Sequence, residues 1–292
     1  MFELIVTGIL LGGLYGLISI GLNLIFGVMR IVNFANGELI MVSMYLSFWA
    51  FHFYGIDPYI SILVITPLSF LFFSTLARPF ILKLARASHL GQTFITFGIG
   101  IILQNLALML FSADFRSVKT PYSKWQFSIT DGISISFPRL VVFLVAIALT
   151  IGLYYYLKNS FTGKSIRATM QNKNVSMLMG IDIDKVYVFT FSLGVSISVL
   201  AGGLLLPIFY VYPTIGFNFA LLGFVVVVLG GLGSIPGTLI GGLVIGLTEA
   251  FSGYFISTSM KQLIYFGIFI LVLAFKPAGL FGQRGTEELG VK

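Results

Sequence analysis

Cysteine is absent from this chain, histidine occurs only at His52 and His89, and charged side chains make up 9% of its 292 residues. The first absence excludes disulfides, thiolate metal sites and thiol nucleophiles. The second leaves too few imidazoles, too far apart, for a metal cluster. Low charge excludes an ordinary soluble domain, where roughly 25% of residues are charged. Also missing are the short segments of polar/apolar alternation that mark a membrane β-barrel. What is present is 58% hydrophobic residue content, concentrated in long runs rich in Leu, Ile, Val, Phe and Gly. Such runs specify an all-α fold, a polytopic transmembrane helical bundle, because only a helix satisfies its own backbone in lipid.

Crossing about 30 Å of hydrocarbon at about 1.5 Å per residue takes about 20 residues. Spans are expected near residues 4–26, 38–53, 60–76, 93–111, 140–157, 186–210, 217–229, 238–255 and 261–275, within a total of about eight to ten, some broken or re-entrant. Residues 1–8 carry Glu3 and no Lys or Arg, so the first run reads as a retained span rather than a signal peptide. No gap between runs is long enough for a second domain, and the whole of 1–292 is expected to form one membrane domain.

The net charge of +7 does not call for nucleic acid, because the basic residues sort by membrane side. Arg78, Lys83 and Arg86 fill one gap; Lys158, Lys164, Arg167, Lys173 and Lys185 fill a second; Lys276, Arg284 and Lys292 follow the last run. Even numbers of spans separate these clusters, so they share one face. With that face in the cytoplasm of a bacterial or archaeal cell, the amino terminus lies outside and the carboxyl terminus inside. Residues 112–138 then form the largest external segment, although Arg116, Lys119, Lys124 and the adjoining Arg139 are basic, with Tyr122 and Trp125 as interface residues.

Two places interrupt the helical pattern. Residues 27–37, GVMRIVNFANG, lead into a run of about 16 residues, or about 24 Å, short for a crossing. Asn36 is suited to cap that helix, with Glu38 in its first turn; an ordinary capped loop is the simpler alternative to a hinge. The second place, residues 230–237, GGLGSIPG, has a glycine and proline density that breaks a helix. Short, interrupted segments in two halves of a membrane chain point to a translocation path. Asn33, Asn36, Gly37, Glu38, Gly230, Gly231, Gly233, Ser234, Pro236 and Gly237 are the pathway candidates, without an evident sequence repeat to relate them. Glu249 is an intramembrane acid lacking a nearby second carboxylate or histidine, so structural pairing or a place near the outer surface is expected ahead of a proton relay. Gly12, Gly13, Gly16, Gly202 and Gly203 allow close helix packing.

The longest basic gap, about 158–185, contains a stretch, 164–179, free of proline and glycine. One short helix is expected there, closed by Gly180, either lying on the membrane surface or docking into a cytoplasmic partner. Gly163-Lys164-Ser165 is not a phosphate-binding loop, because Lys158 stands where its first glycine would be and no strand precedes it. An ATP motor would have to be a separate chain.

Several segments, in order, resemble the permease subunits of ABC importers for branched-chain amino acids, specifically the LivH-type member of the pair. They are GLNLIFGVMRIVNFANGELIM from Gly21, RATMQNKNVSMLMGID from Arg167, GGLGSIPGTLIGG from Gly230 and KPAGLFG from Lys276. The resemblance implies a non-enzymatic transport subunit that itself binds no cofactor. ATP would be used by two cytoplasmic ATPase partners, beside a second, LivM-like permease, an external solute-binding protein and membrane lipid. It also implies an ATPase-coupling role for Arg167, Asn174, Ser176, Met177, Leu178, Gly180 and Ile181. Ser176-Met177 departs from the family's small pair, Asn174 from its acidic residue, and Asn36 from its frequent histidine. The rival readings are an ion-gradient-driven secondary transporter using Glu38 and Glu249, a membrane enzyme, or an ABC permease for urea, amides, sugars or nucleosides.

Overall fold

The computed structural model describes residues 1–130, 133–257 and 260–282. Its twelve α-helices are α1 Phe2–Met29, α2 Asn36–Tyr54, α3 Pro58–Thr75, α4 Arg78–Arg86, α5 His89–Phe111, α6 Phe137–Asn159, α7 Phe161–Gln171, α8 Lys173–Leu178, α9 Ile183–Leu205, α10 Ile215–Gly230, α11 Ile235–Phe255 and α12 Lys261–Phe275. Each expected span falls on one of them. Helices α1, α3, α5, α6, α9 and α11 are long and apolar enough to cross a membrane, while α10 and α12 are shorter apolar helices. The protein is a polytopic helical membrane bundle. Arg284 and Lys292 lie outside the described residues.

Three segments differ from the expectation. Residues 78–86 are a helix, not a gap, because Ile81 and Leu84 bury one face while Lys83 and Arg86 remain on the other. The single helix expected over 164–179 is two. Asn172 takes an extended conformation (φ −155°) and its side chain accepts from Val175 N–H at 3.1 Å, starting α8 afresh. Helix α9 stops at Leu205 and does not continue to Tyr210, since Pro207 has no N–H to extend the ladder.

Residues 112–136 supply a second unforeseen element, an antiparallel hairpin of β1 Gln126–Thr130 and β2 Ile133–Ser136 behind a 3-10 turn at Pro121–Lys124. It is tied to the bundle through Tyr122, whose hydroxyl donates to Asp57 Oδ1 at 2.9 Å; Asp57 also caps α3 by accepting from Tyr59 N–H at 2.8 Å. Burial, and then this bond to Asp57, push the Tyr122 phenol above its ordinary range, so it stays protonated as a donor. This hairpin end and the opposite α7–α8 end define the two ends of the bundle.

Helices α1 and α9 form the antiparallel centre, where a Cβ on Gly194 would lie 2.7 Å from the Gly21 carbonyl oxygen. Around them the packing is reciprocal. Helix α11 lies antiparallel on α1 through Gly8, Gly12 and Gly16, and α3 lies antiparallel on α9 through Gly203, Ser69–Ser196 and Phe73–Phe191. Helix α2 packs on α9 at Gly202, and α10 packs on α1 at Gly223. The unit α1–α3 is therefore matched by α9–α11 running the other way, the arrangement of an inverted repeat. By contrast, α3 and α5 turn large apolar side chains outward, with Leu63 71% and Met109 82% exposed. Those faces suit lipid or another apolar chain.

Small residues matter here because lipid supplies no hydrophobic drive for helices to associate, and close van der Waals contact must do so. A Cβ on Gly246 would fall within 2.5 Å of Gly12 Cα and Gly8 O, both backbone, whereas one on Gly267 meets nothing within 4 Å. Gly246→Ala is expected to cost about 1–3 kcal/mol and to lower the thermal unfolding midpoint in detergent. Gly267→Ala is expected to leave that midpoint unchanged or slightly raised.

Candidate functional site

Two crossings are broken near mid-bundle, and their starts meet. At the first break, α1 ends with Arg30 in the left-handed region (φ 55°) and the chain returns toward the centre over residues 31–35. The Asn33 side chain accepts from Ala35 N–H at 3.2 Å and its carbonyl from Asn36 N–H at 3.1 Å, which turns the chain into α2. Asn36 does not cap α2 as expected. Ala35 occupies the cap position without a side-chain bond, and Asn36 Oδ1 instead accepts from Ser198 Oγ at 2.7 Å, fixing the start of α2 to α9.

The second break, residues 206–214, was not singled out in the sequence, although Pro207 and Pro213 punctuate it. Val211 pairs with Arg116 through two backbone hydrogen bonds of 2.8 and 3.0 Å, and a turn from Tyr212 to Ile215 (3.1 Å) opens α10. The Arg116 guanidinium lies over Trp49 and Phe48, at 5.1 and 5.7 Å, covering this break at the hairpin end.

Gly37 and Gly216 then bring the two starts into backbone contact. A Cβ on Gly37 would overlap the Gly216 carbonyl oxygen and come within 2.6 Å of Ala220 N. Beside this contact lies a cavity of about 410 Å³ lined by Phe34, Glu38, Phe97, Gln104, Phe217 and Phe224 among others. Gly100, midway along α5, faces Glu38 and Ala35 across it, which places the cavity at mid-depth. Glu38 is 4% exposed and its Oε2 has no hydrogen-bond partner. Gln104, Phe97 and Phe217 escape notice in sequence because polar or aromatic residues within an apolar run have no periodic signature.

Residues 230–237 lie elsewhere, toward the α7–α8 end, and the structure does not bring them together with Asn33, Asn36, Gly37 and Glu38. Asn23, on α1, holds them. Its Oδ1 accepts from Gly233 N–H at 2.6 Å, and its amide donates to the carbonyls of Ser234 (3.0 Å) and Gly231 (3.3 Å) and to the Thr238 hydroxyl. Gly231 (φ 109°) and Gly233 (φ 81°) need glycine's backbone freedom, Gly230 and Gly237 touch backbone to backbone, and Ser234 caps α11, whose first turn holds Pro236. Residues 279–282 close the arrangement, Leu280 and Phe281 donating to the carbonyls of Leu229 and Gly230 at 2.8 and 3.1 Å.

On the α7–α8 loop, Asn174, Met177, Leu178 and Gly180 are exposed at the tip, Leu178 at 87%, while Ser176 is buried and Ile181 half-buried. Arg167 is set back on α7, its guanidinium donating to Lys158 O at 3.4 Å. Met170 on the same helix touches Gly27 at the end of α1 and faces Gly233. Glu249 sits near the hairpin end, paired with Lys261 at 3.6 Å and hydrogen-bonded by Tyr15. Among the described residues no group of three or more His, Asp or Glu is placed to hold a metal.

Residues 4–273 match the family described as branched-chain amino acid transport system / permease component. The chain is 32% identical to the high-affinity branched-chain amino acid transport system permease protein LivH of Escherichia coli, over 97% of this chain and 96% of that one. It is 29% identical to the corresponding BraD protein of Pseudomonas aeruginosa, over 98% and 97%. A probable LivH of Methanocaldococcus jannaschii is 28% identical over 94% and 90%. No solved structure gives a significant match.

Asn23→Leu leaves the Gly233 N–H without its partner, while the Gly231 and Ser234 carbonyls and the Thr238 hydroxyl each lose one bond and keep another at the start of α11. An orphaned buried donor costs about 1–3 kcal/mol, so this variant is expected to unfold at a lower temperature and to expose residues 230–237 to limited proteolysis.

Proposed function

Because the chain belongs to the permease-component family of branched-chain amino acid transport systems, we propose that it is the membrane-spanning subunit through which an ATP-driven importer passes branched-chain amino acids. The observation carrying this reading is the contact of two broken crossings, α2 and α10, at Gly37 and Gly216 beside a mid-depth cavity. Unwound backbone at membrane depth is retained where it lines a path. The repeat related by opposite direction brings one broken crossing from each unit to that point.

In this reading the protein lies in the cytoplasmic membrane, with the hairpin end outside, facing a solute-binding protein, and the α7–α8 end inside. Two ATPase subunits supply the energy, one docking on α8. A second permease subunit covers part of the apolar face of α3 and α5. Val175, Met177, Leu178 and Met179 form the docking knob, each more than half exposed on a loop that otherwise bears cations. Met170 gives that loop a mechanical link, since it lies against both the end of α1 and the α10–α11 connection. Displacement of α7 by a closing ATPase pair thus bears on both repeat units at once.

Two measurements test this. Leu178→Glu places a charge in the apolar knob and is expected to abolish co-purification of the ATPases. Gly180→Val strains a residue at φ 79° and should uncouple substrate from ATP hydrolysis while the complex survives. Wild-type substrate-stimulated hydrolysis in both variants, or uptake by this chain alone without ATP, would overturn the proposal. With cysteine naturally absent, single-cysteine variants report orientation cleanly: Phe127→Cys should react with an impermeant maleimide in intact cells, and Met179→Cys only after the membrane is opened.

A further inference from the structure

The mid-depth cavity is lined by an acid that pairs with no cation among the described residues. No Lys, Arg or His is among its lining residues; Glu38 is the one acid there, 4% exposed, its Oε2 packed against Gly216 without a hydrogen-bond partner. Its other walls include the rings of Phe34, Phe97, Phe217 and Phe224, with Phe34 and Phe97 edge to face at 6.3 Å, aliphatic side chains such as Ile101 and Leu221, and one amide, Gln104. An ionised carboxylate buried without a counter-charge is strongly disfavoured. Short of remaining neutral, an acid at this position calls for a cation that arrives and leaves. The cavity, at about 410 Å³, is near the lower end of the roughly 300–1,000 Å³ of small-molecule sites. Helices α2 and α10 both begin at its edge and bring their positive dipole ends there, which suits an anionic group on the same ligand.

We propose that Glu38 receives the ammonium group of a zwitterionic amino acid in transit, with the aromatic walls holding an apolar side chain and Gln104 and the helix starts facing the carboxylate. The inference rests on the transport reading above and adds to it a selectivity site within the permease itself. A small apolar amino acid meets each feature of the cavity at once: one positive group, one negative group and an apolar body. Sugars lack the cation, and free inorganic cations lack both the anionic group and the apolar body.

The test uses the full complex with its partner subunits, reconstituted in vesicles with leucine-loaded binding protein. Wild type is expected to accumulate leucine. Glu38→Gln should lower uptake by about tenfold or more, as loss of one partner of a desolvated charge pair does. Its subunit composition should stay that of wild type, and leucine moved per ATP should fall. Glu38→Asp should be intermediate. In the wild-type complex, leucine under turnover should slow modification of Glu38 by dicyclohexylcarbodiimide, read by peptide mass spectrometry, a measurement independent of whether any variant folds. Unchanged uptake in Glu38→Gln, labelling indifferent to leucine, or loss of the second permease from that variant would each overturn the site, the last by making Glu38 a subunit contact. Failure of the wild-type complex itself to take up leucine would instead remove the transport reading, and this site with it.

Discussion

Backbone amides and carbonyls that leave the helical ladder inside a lipid-facing bundle have no water to turn to, and the protein must supply every partner itself. This requirement organises the molecule. The first break is satisfied by Asn33, the second by strand-like pairing of Val211 with Arg116, and the third by Asn23 together with Leu280 and Phe281. The first solution is local, whereas the other two draw a distant part of the chain to the broken segment. The stretch around Arg116 is pulled over the second break, α1 against residues 230–237, and residues 279–282 back onto the end of α10.

Glycine answers the complementary demand. Where two segments approach until only backbone fits, as at Gly12 with Gly246 or Gly37 with Gly216, the contact is short and stiff. Such contacts run between the two repeat units, α11 on α1 and α10 against α2, so the units interlock, and the cavity lies beside the α2–α10 contact. Cores packed so densely shift between discrete arrangements instead of deforming continuously, which is the property an alternating path requires.

Polar residues follow the same division. Glu249, answered by Lys261 and Tyr15, reads as a fastening between α1, α11 and α12. Glu38 has no answering charge among the described residues and lines the cavity beside the α2–α10 contact. Two acids in apolar runs that look alike in sequence thus differ in kind, and only their neighbours separate them.

Composition and run length by themselves determined that the chain is a helical membrane bundle and where its apolar helices lie among the described residues, since burial in lipid acts on each segment independently of the others. Local chemistry likewise marked the irregular stretches 27–37 and 230–237 and the exposed tip around Leu178. Partnership was decided only by the tertiary structure: that Asn36 bonds Ser198 instead of capping its helix, that Asn23 clamps a loop more than two hundred positions away, that Ser176 turns inward, and that residues 206–214 form the second mid-depth break while 230–237 do not. The physical reason is that a side-chain amide, a glycine or a carboxylate carries the same local signal whatever it meets. Its role is set by the backbone or charge that a remote segment brings within reach.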